Sequence, residues 1–151
     1  MSTLVVEELK TTLTQTVSFK YDRVYQIGGI KIKVLMYNSP SGTFTLSIKS
    51  GVNTLASSTF TSADIKSDLD TTNNYAWVWK AVSFSGPVPL KKGSYDIELS
   101  ASGYTYSAIS FLGWVKLHES FFNDREDAYV DIKLNPYGIL VYENIREDLV
   151  L

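Results

Sequence analysis

The 151-residue chain contains no cysteine. No disulfide framework can staple it, thiol chemistry is excluded, and the redox compartment is left open. With a single histidine, His118, zinc sites built on cysteine or on several histidines are excluded too. A nucleophile triad would have to use His118, which stands between Leu117 and Glu119 with no GxSxG anywhere in the chain, so a structural or surface histidine is expected. Basic residues are not in excess: 14 Lys and Arg against 16 Asp and Glu give a net charge of −2, which argues against electrostatic binding to nucleic acid. No apolar run approaches the roughly 20 residues of a spanning helix, so no membrane partner is expected. The start, Met1-Ser2-Thr3-Leu4, lacks the basic and continuous apolar regions of an export signal, so synthesis in a cytoplasm is expected. No internal repeat or heptad is visible, and Gly28-Gly29 is not followed by a GxGxxG pattern or a helix, which makes phosphate binding there a poor reading.

What the chain has is aromatic and hydroxyl-bearing. Ten tyrosines, three tryptophans and many Ser and Thr favour an all-β fold, and the length suits one domain over 1–151. The most informative stretch is Asn74–Ala101, which reads as a long strand, a proline-rich bend, a tight turn and a second strand. Tyr75, Trp77 and Trp79 share one face, with Ala76, Val78, Val82 and Phe84 on the other or its continuation. Pro87 and Pro89 remove two backbone donors, so this segment cannot lie in mid-sheet. Beyond Lys92-Gly93, Tyr95, Ile97 and Leu99 alternate with Asp96 and Glu98 as in a half-buried strand.

Elsewhere the period of two predicts strands over 3–9 and 11–19, the first twenty residues forming either strands or an N-terminal arm. A strong strand runs Arg23–Tyr37 with a hairpin or bulge at Gly28-Gly29, and Thr43–Lys49 and Thr54–Phe60 follow. Ser62–Asp70 is the one candidate helix, with Ser62 as its cap, and Tyr104–Phe111 and Leu112–His118 continue the β pattern with a bend at Gly113. After a polar loop, Glu119–Asp127, the segments Ala128–Leu134 and Ile139–Ile145 flank Asn135-Pro136-Tyr137-Gly138, a type I turn signature, and predict a C-terminal hairpin. Residues 119–151 hold eight acids and three bases, leaving the rest at +3, a split that suits contact between copies or a solvated acidic end. Tyr142, Ile145, Leu149 and Leu151 are the residues expected to make an oligomer or particle contact, since an apolar end must pack on its own domain or a neighbour. Roughly ten short strands with almost no helix describe an antiparallel sandwich or barrel.

Four groups of residues could carry chemistry or binding. The acids Glu119, Asp124, Glu126 and Asp127 are close in sequence, but solvation alone explains such a loop, and no catalytic residue is assigned. Asp68, Asp70 and Asn74 place oxygen ligands at alternate positions; an EF-hand is excluded because Asn73 and Trp79 stand where its Gly and Glu belong, leaving a loose calcium site or an ordinary turn. No cofactor is implied. The aromatics are the best lead, since sugar rings stack on Trp and Tyr: Tyr75, Trp77 and Trp79, or Tyr104, Tyr106 and Trp114, could form a glycan platform. A sandwich core or a subunit interface uses the same residues, and is the more common destination.

From about Gly42 to Ser110 the chain runs through SIKSG, LASSTFTSADI, YAWVWKAVSFS, PVPLKKGSYDIEL and YTYSAISF. In that order it resembles the jelly-roll or galactose-binding-like sandwiches of bacteriophage tail and capsid accessory proteins, and is similar to carbohydrate-binding modules. The resemblance implies a jelly-roll-like sandwich with a non-enzymatic role in the virion, as a capsid decoration or tail component. Its partners would be other virion proteins and copies of itself as a dimer or trimer. A glycan-binding module for host attachment is the alternative. The first twenty residues and the acidic end after Glu119 lie outside the resemblance.

Overall fold

A computed structural model of the chain describes residues 4–65, 75–117, 125–126, 132–134 and 139–143. The strands are β1 (Leu4–Glu8), β2 (Leu13–Phe19), β3 (Tyr25–Tyr37), β4 (Thr43–Ser50), β5 (Asn53–Phe60), β6 (Tyr75–Leu90), β7 (Gly93–Ser102), β8 (Phe111–Leu117), β9 (Arg125–Glu126), β10 (Ile132–Leu134) and β11 (Leu140–Glu143). They form two antiparallel sheets, so the all-β sandwich expected from the strand pattern is the architecture observed. One sheet has four strands in the order β2-β7-β4-β5; the other has seven, β1-β8-β3-β11-β10-β9, with β6 paired to β3.

The long β3 organises the larger sheet. One of its edges is covered by β6 from Tyr25↔Leu90 to Tyr37↔Tyr75. The other edge is shared end to end by two strands: β11 lies beside Ile27–Lys31 and β8 beside Val34–Tyr37. The alternation of β3 decides which face is core. Ile30, Ile32, Val34 and Met36 are buried against Phe44, Leu46 and Ile48 of β4 and Ile97 and Leu99 of β7. Lys31, Lys33, Leu35 and Tyr37 therefore belong to the face that points away from the sandwich interior.

The smaller sheet is core on one side and hydroxylic on the other. Leu46↔Leu99↔Leu13 and Ile48↔Ile97 form inward rows, while Thr45↔Ser100 and Thr16↔Asp96 point outward. Asp96 and Glu98 thus take the solvent face expected of them, with Lys49 Nζ 3.2 Å from the Glu98 carboxylate, a surface pair that contributes about 0–1 kcal/mol.

Several local expectations are revised. Of the two readings of Gly28-Gly29 the bulge holds and the hairpin does not: β3 runs through it, and the register slips so that Ile27 faces Val88 and Gly29 faces Ser83, leaving 84–87 bulged opposite Gly28. The prolines do not bend the chain out of the sheet: β6 continues to Leu90, and among the described residues it pairs only with β3, in keeping with a segment that cannot lie in mid-sheet. Of the helix expected over 62–70, residues 66–70 lie outside the described residues and Ser62–Asp64 is a 3-10 turn. Its cap is Thr61 rather than Ser62: the Thr61 N–H donates to the Asp64 carboxylate at 2.7 Å, and the buried Ser62 hydroxyl is used on the Pro40 carbonyl instead. Residues 103–110 are a loop closed by a Ser107–Ser110 bridge, not a strand. Gly113 permits no bend; it lies inside β8, where a Cβ would fall 2.5 Å from Val6 Cγ1. The first segment is not a loose arm, since β1 pairs with β8 from Leu4↔Leu117 to Glu8↔Gly113. β10 pairs antiparallel with β11, and their connection, 135–138, lies outside the described residues.

Candidate functional site

The strongest surface feature follows from the β3–β6 register. Val34↔Val78 and Met36↔Ala76 are core pairs, so the intervening pairs Lys33↔Trp79 and Leu35↔Trp77 emerge on the opposite, outer face. Trp77 is 40% exposed and Trp79 is half-buried, with the Lys33 ammonium 5.8 Å from the Trp79 ring centroid. Two indoles at alternate positions of one strand stand about 7 Å apart along it. The half-buried Leu35 and Tyr37 extend the same apolar strip towards β8.

Farther along that face a second aromatic group forms. Tyr37 and Tyr106 each pack near Phe111, with ring centroids at 5.8 and 5.9 Å. Phe111 and Val115 are buried although they lie on the side of β8 away from the sandwich core. The Tyr106 hydroxyl donates to the Glu8 carboxylate. Because an ionised phenol would face that carboxylate, the bond to Glu8 holds the Tyr106 hydroxyl above its ordinary value, with burial adding to it. Lys31, 2% exposed and in register with Ala81 and Leu140, has its ammonium pushed below the ordinary value by burial.

The alternative platform of Tyr104, Tyr106 and Trp114 is not assembled. Trp114 is fully buried on the core side of β8, opposite Val34, so it cannot offer a ring to a sugar. Its indole nitrogen meets no acceptor among the described residues, the behaviour of a space-filling core residue rather than a ligand-binding one. Tyr104 is structural as well. Its ring packs 5.4 Å from Phe44, its hydroxyl donates to the Leu9 carbonyl at 2.7 Å, and it accepts from the Leu112 N–H at 3.2 Å. Burial, the largest cause, raises its pKa. Tyr106 belongs to the outer group around Phe111, separate from both.

Asp68, Asp70 and Asn74 lie outside the described residues, as do His118, Glu119, Asp124, Asp127, Ile145, Leu149 and Leu151. Glu126 is half of the two-residue β9, and Tyr142 sits in β11 opposite Gly29. Among the described residues no group of three His, Asp or Glu side chains could hold a metal.

The alternation of β6 alone marked Trp77 and Trp79. Their neighbours Lys33, Leu35 and Tyr37 were hidden, because only the cross-strand register brings residues forty positions apart together. Three exposed apolar residues at one end of the sandwich, Tyr21, Val24 and Val52, carried no sequence signal at all.

No family model and no curated protein matches the chain. Among solved structures it is similar to dimeric latent PorU from Porphyromonas gingivalis, at 12% identity and a TM-score of 0.37, over 77% of this chain and 12% of that one. The chain thus spans only a small part of the length of that protein.

Proposed function

We propose that this chain is a non-enzymatic assembly domain, a virion structural component of a bacteriophage that decorates the capsid or accompanies the tail and acts by packing against copies of itself. The observation that carries the assembly reading is the outer face of the larger sheet. Trp77, 40% exposed, stands there beside Trp79 and Leu35. An antiparallel sheet with one solvated face ordinarily places polar side chains there, and a contiguous apolar strip marks an interaction surface. The phage attribution rests on the sequence resemblance from about Gly42 to Ser110, and a jelly-roll-like strand order with a C-terminal hairpin extension belongs to the same reading.

Light scattering on the eluting protein at micromolar concentration tests it. A defined oligomer that falls to a smaller species in the Trp77→Ala/Trp79→Ala protein is the expected result; a wild-type monomer at every concentration overturns the reading.

The tandem indoles also support a second reading, glycan binding for host attachment. The two rings project at alternate positions of one strand face, with the Lys33 ammonium beside Trp79 for hydroxyl or acidic substituents. Since Trp114 is buried, a change in tryptophan emission on adding a glycan would report the outer pair. Emission that stays constant across a diverse glycan panel rejects this alternative.

A further inference from the structure

One end of the sandwich combines exposed apolar side chains with positive charge. Three connections meet there: residues 20–24 between β2 and β3, the β4–β5 turn at Gly51-Val52, and Lys91-Lys92 between β6 and β7. The register makes them neighbours, with Phe19 opposite Gly93 and Lys49 opposite Asp96. Val52 is 93% exposed, Val24 47% and Tyr21 39%. Against one acid, Asp22, these connections carry Lys20, Arg23, Lys91 and Lys92. Two of the cations lie over rings: the Arg23 guanidinium is 3.9 Å from the Tyr25 centroid, and Lys20 Nζ is 5.7 Å from that of Tyr21. Lys91 and Lys92 are exposed and have no ion pair among the described residues.

β11 reaches this same end. β11 runs antiparallel to β3 and finishes at Glu143, in register with Ile27, two residues from the start of β3. The sequence that follows, residues 144–151, reads NIREDLVL, where Glu147 and Asp148 outweigh Arg146 for a net charge of −1 ahead of Leu149, Val150 and Leu151. An acidic, apolar segment is the chemical complement of a basic, apolar surface.

We infer that this end of the sandwich receives residues 144–151 of a second copy of the chain. Because the receiving surface and the exit of the donated segment lie at one end, a two-fold axis lets each copy give and receive at once, which closes the assembly as a dimer. Burial of Val52, Val24 and Tyr21 against the apolar residues supplies most of the attraction, and the opposite charges set register and partner. The inference rests on the assembly reading above but uses a surface separate from the tryptophan strip.

The test is a charge swap in the full chain, followed by light scattering with circular dichroism to show that each protein is folded. Lys91→Glu/Lys92→Glu and Glu147→Lys/Asp148→Lys are each expected to weaken self-association by about tenfold or more, and added salt to weaken that of the wild type. Mixing the two variants is expected to restore association, since each then supplies the charge that the other lacks. Failure of the mixture to recover overturns the inference. Reversals that lower thermal stability without changing the mass also overturn it, because the contact would then lie within one chain. A wild-type oligomer that resists both reversals but is lost in Trp77→Ala/Trp79→Ala removes this inference alone, whereas a monomeric wild type removes the assembly reading with it.

Discussion

Trp77 and Trp114 flank β3 in one sheet, opposite Leu35 and Val34, yet one indole faces outward and the other fills the core. Replacing Trp114 by Ala is expected to cost about 3–5 kcal/mol in urea unfolding, as for large core truncations. Trp77→Ala should stay within about 1 kcal/mol. Trp114→Phe should cost far less than Trp114→Ala, because it also removes an indole N–H that has no acceptor among the described residues. The alternation of β6 was legible because Ala76 and Val78 are smaller and aliphatic between the aromatics. In β8 it was not: Phe111, Gly113 and Val115 on one face and Leu112 and Trp114 on the other are all apolar or neutral, so no polar residue marks the outside. A second residue-scale test concerns Tyr106. With its hydroxyl held above the ordinary 10.0 by Glu8, the stability from this bond is present below that value and is lost as pH rises through the folded one. Glu8→Gln should shift the Tyr106 tyrosinate absorbance titration to lower pH; an unchanged curve would contradict the bond.

At the scale of elements, β6 explains how the larger sheet avoids extending itself. Among the described residues β6 pairs only with β3, and Pro87 and Pro89 near its end have no N–H to donate to a further strand. Pro87→Thr/Pro89→Thr should therefore raise the tendency to aggregate, followed by turbidity on prolonged incubation, without lowering the unfolding midpoint. Gly113→Ala acts on a different contact. A Cβ 2.5 Å from Val6 Cγ1 must push β1 away from β8, and a cost of about 1–3 kcal/mol is expected in denaturant titration. Strands β3, β4 and β7 could be read from alternation because each keeps one face apolar. The 103–110 loop could not, since Tyr104 and Tyr106 alternate like strand residues while their hydroxyls are spent on Leu9, just after β1, and on Glu8, its last residue. Ser62 misled for a related reason: a buried hydroxyl already bound to Pro40 is not free to cap.

At the scale of the molecule, the two sheets were legible as a class and their order was not, because pairings such as β1 with β8 and β3 with β11 join opposite ends of the chain. That arrangement also has a temporal side. On a ribosome β3 can zip to β6 once Leu90 has emerged, but its second edge stays open until β8 and then β11 arrive. At roughly 5–20 residues per second, the wait from Tyr37 to Glu143 is on the order of ten seconds. Until then the Ile27–Lys31 part of β3 keeps one edge open, the kind of apolar segment that holding chaperones capture. Completion of the larger sheet is therefore governed by when β11 arrives rather than by how quickly β3 and β6 pair.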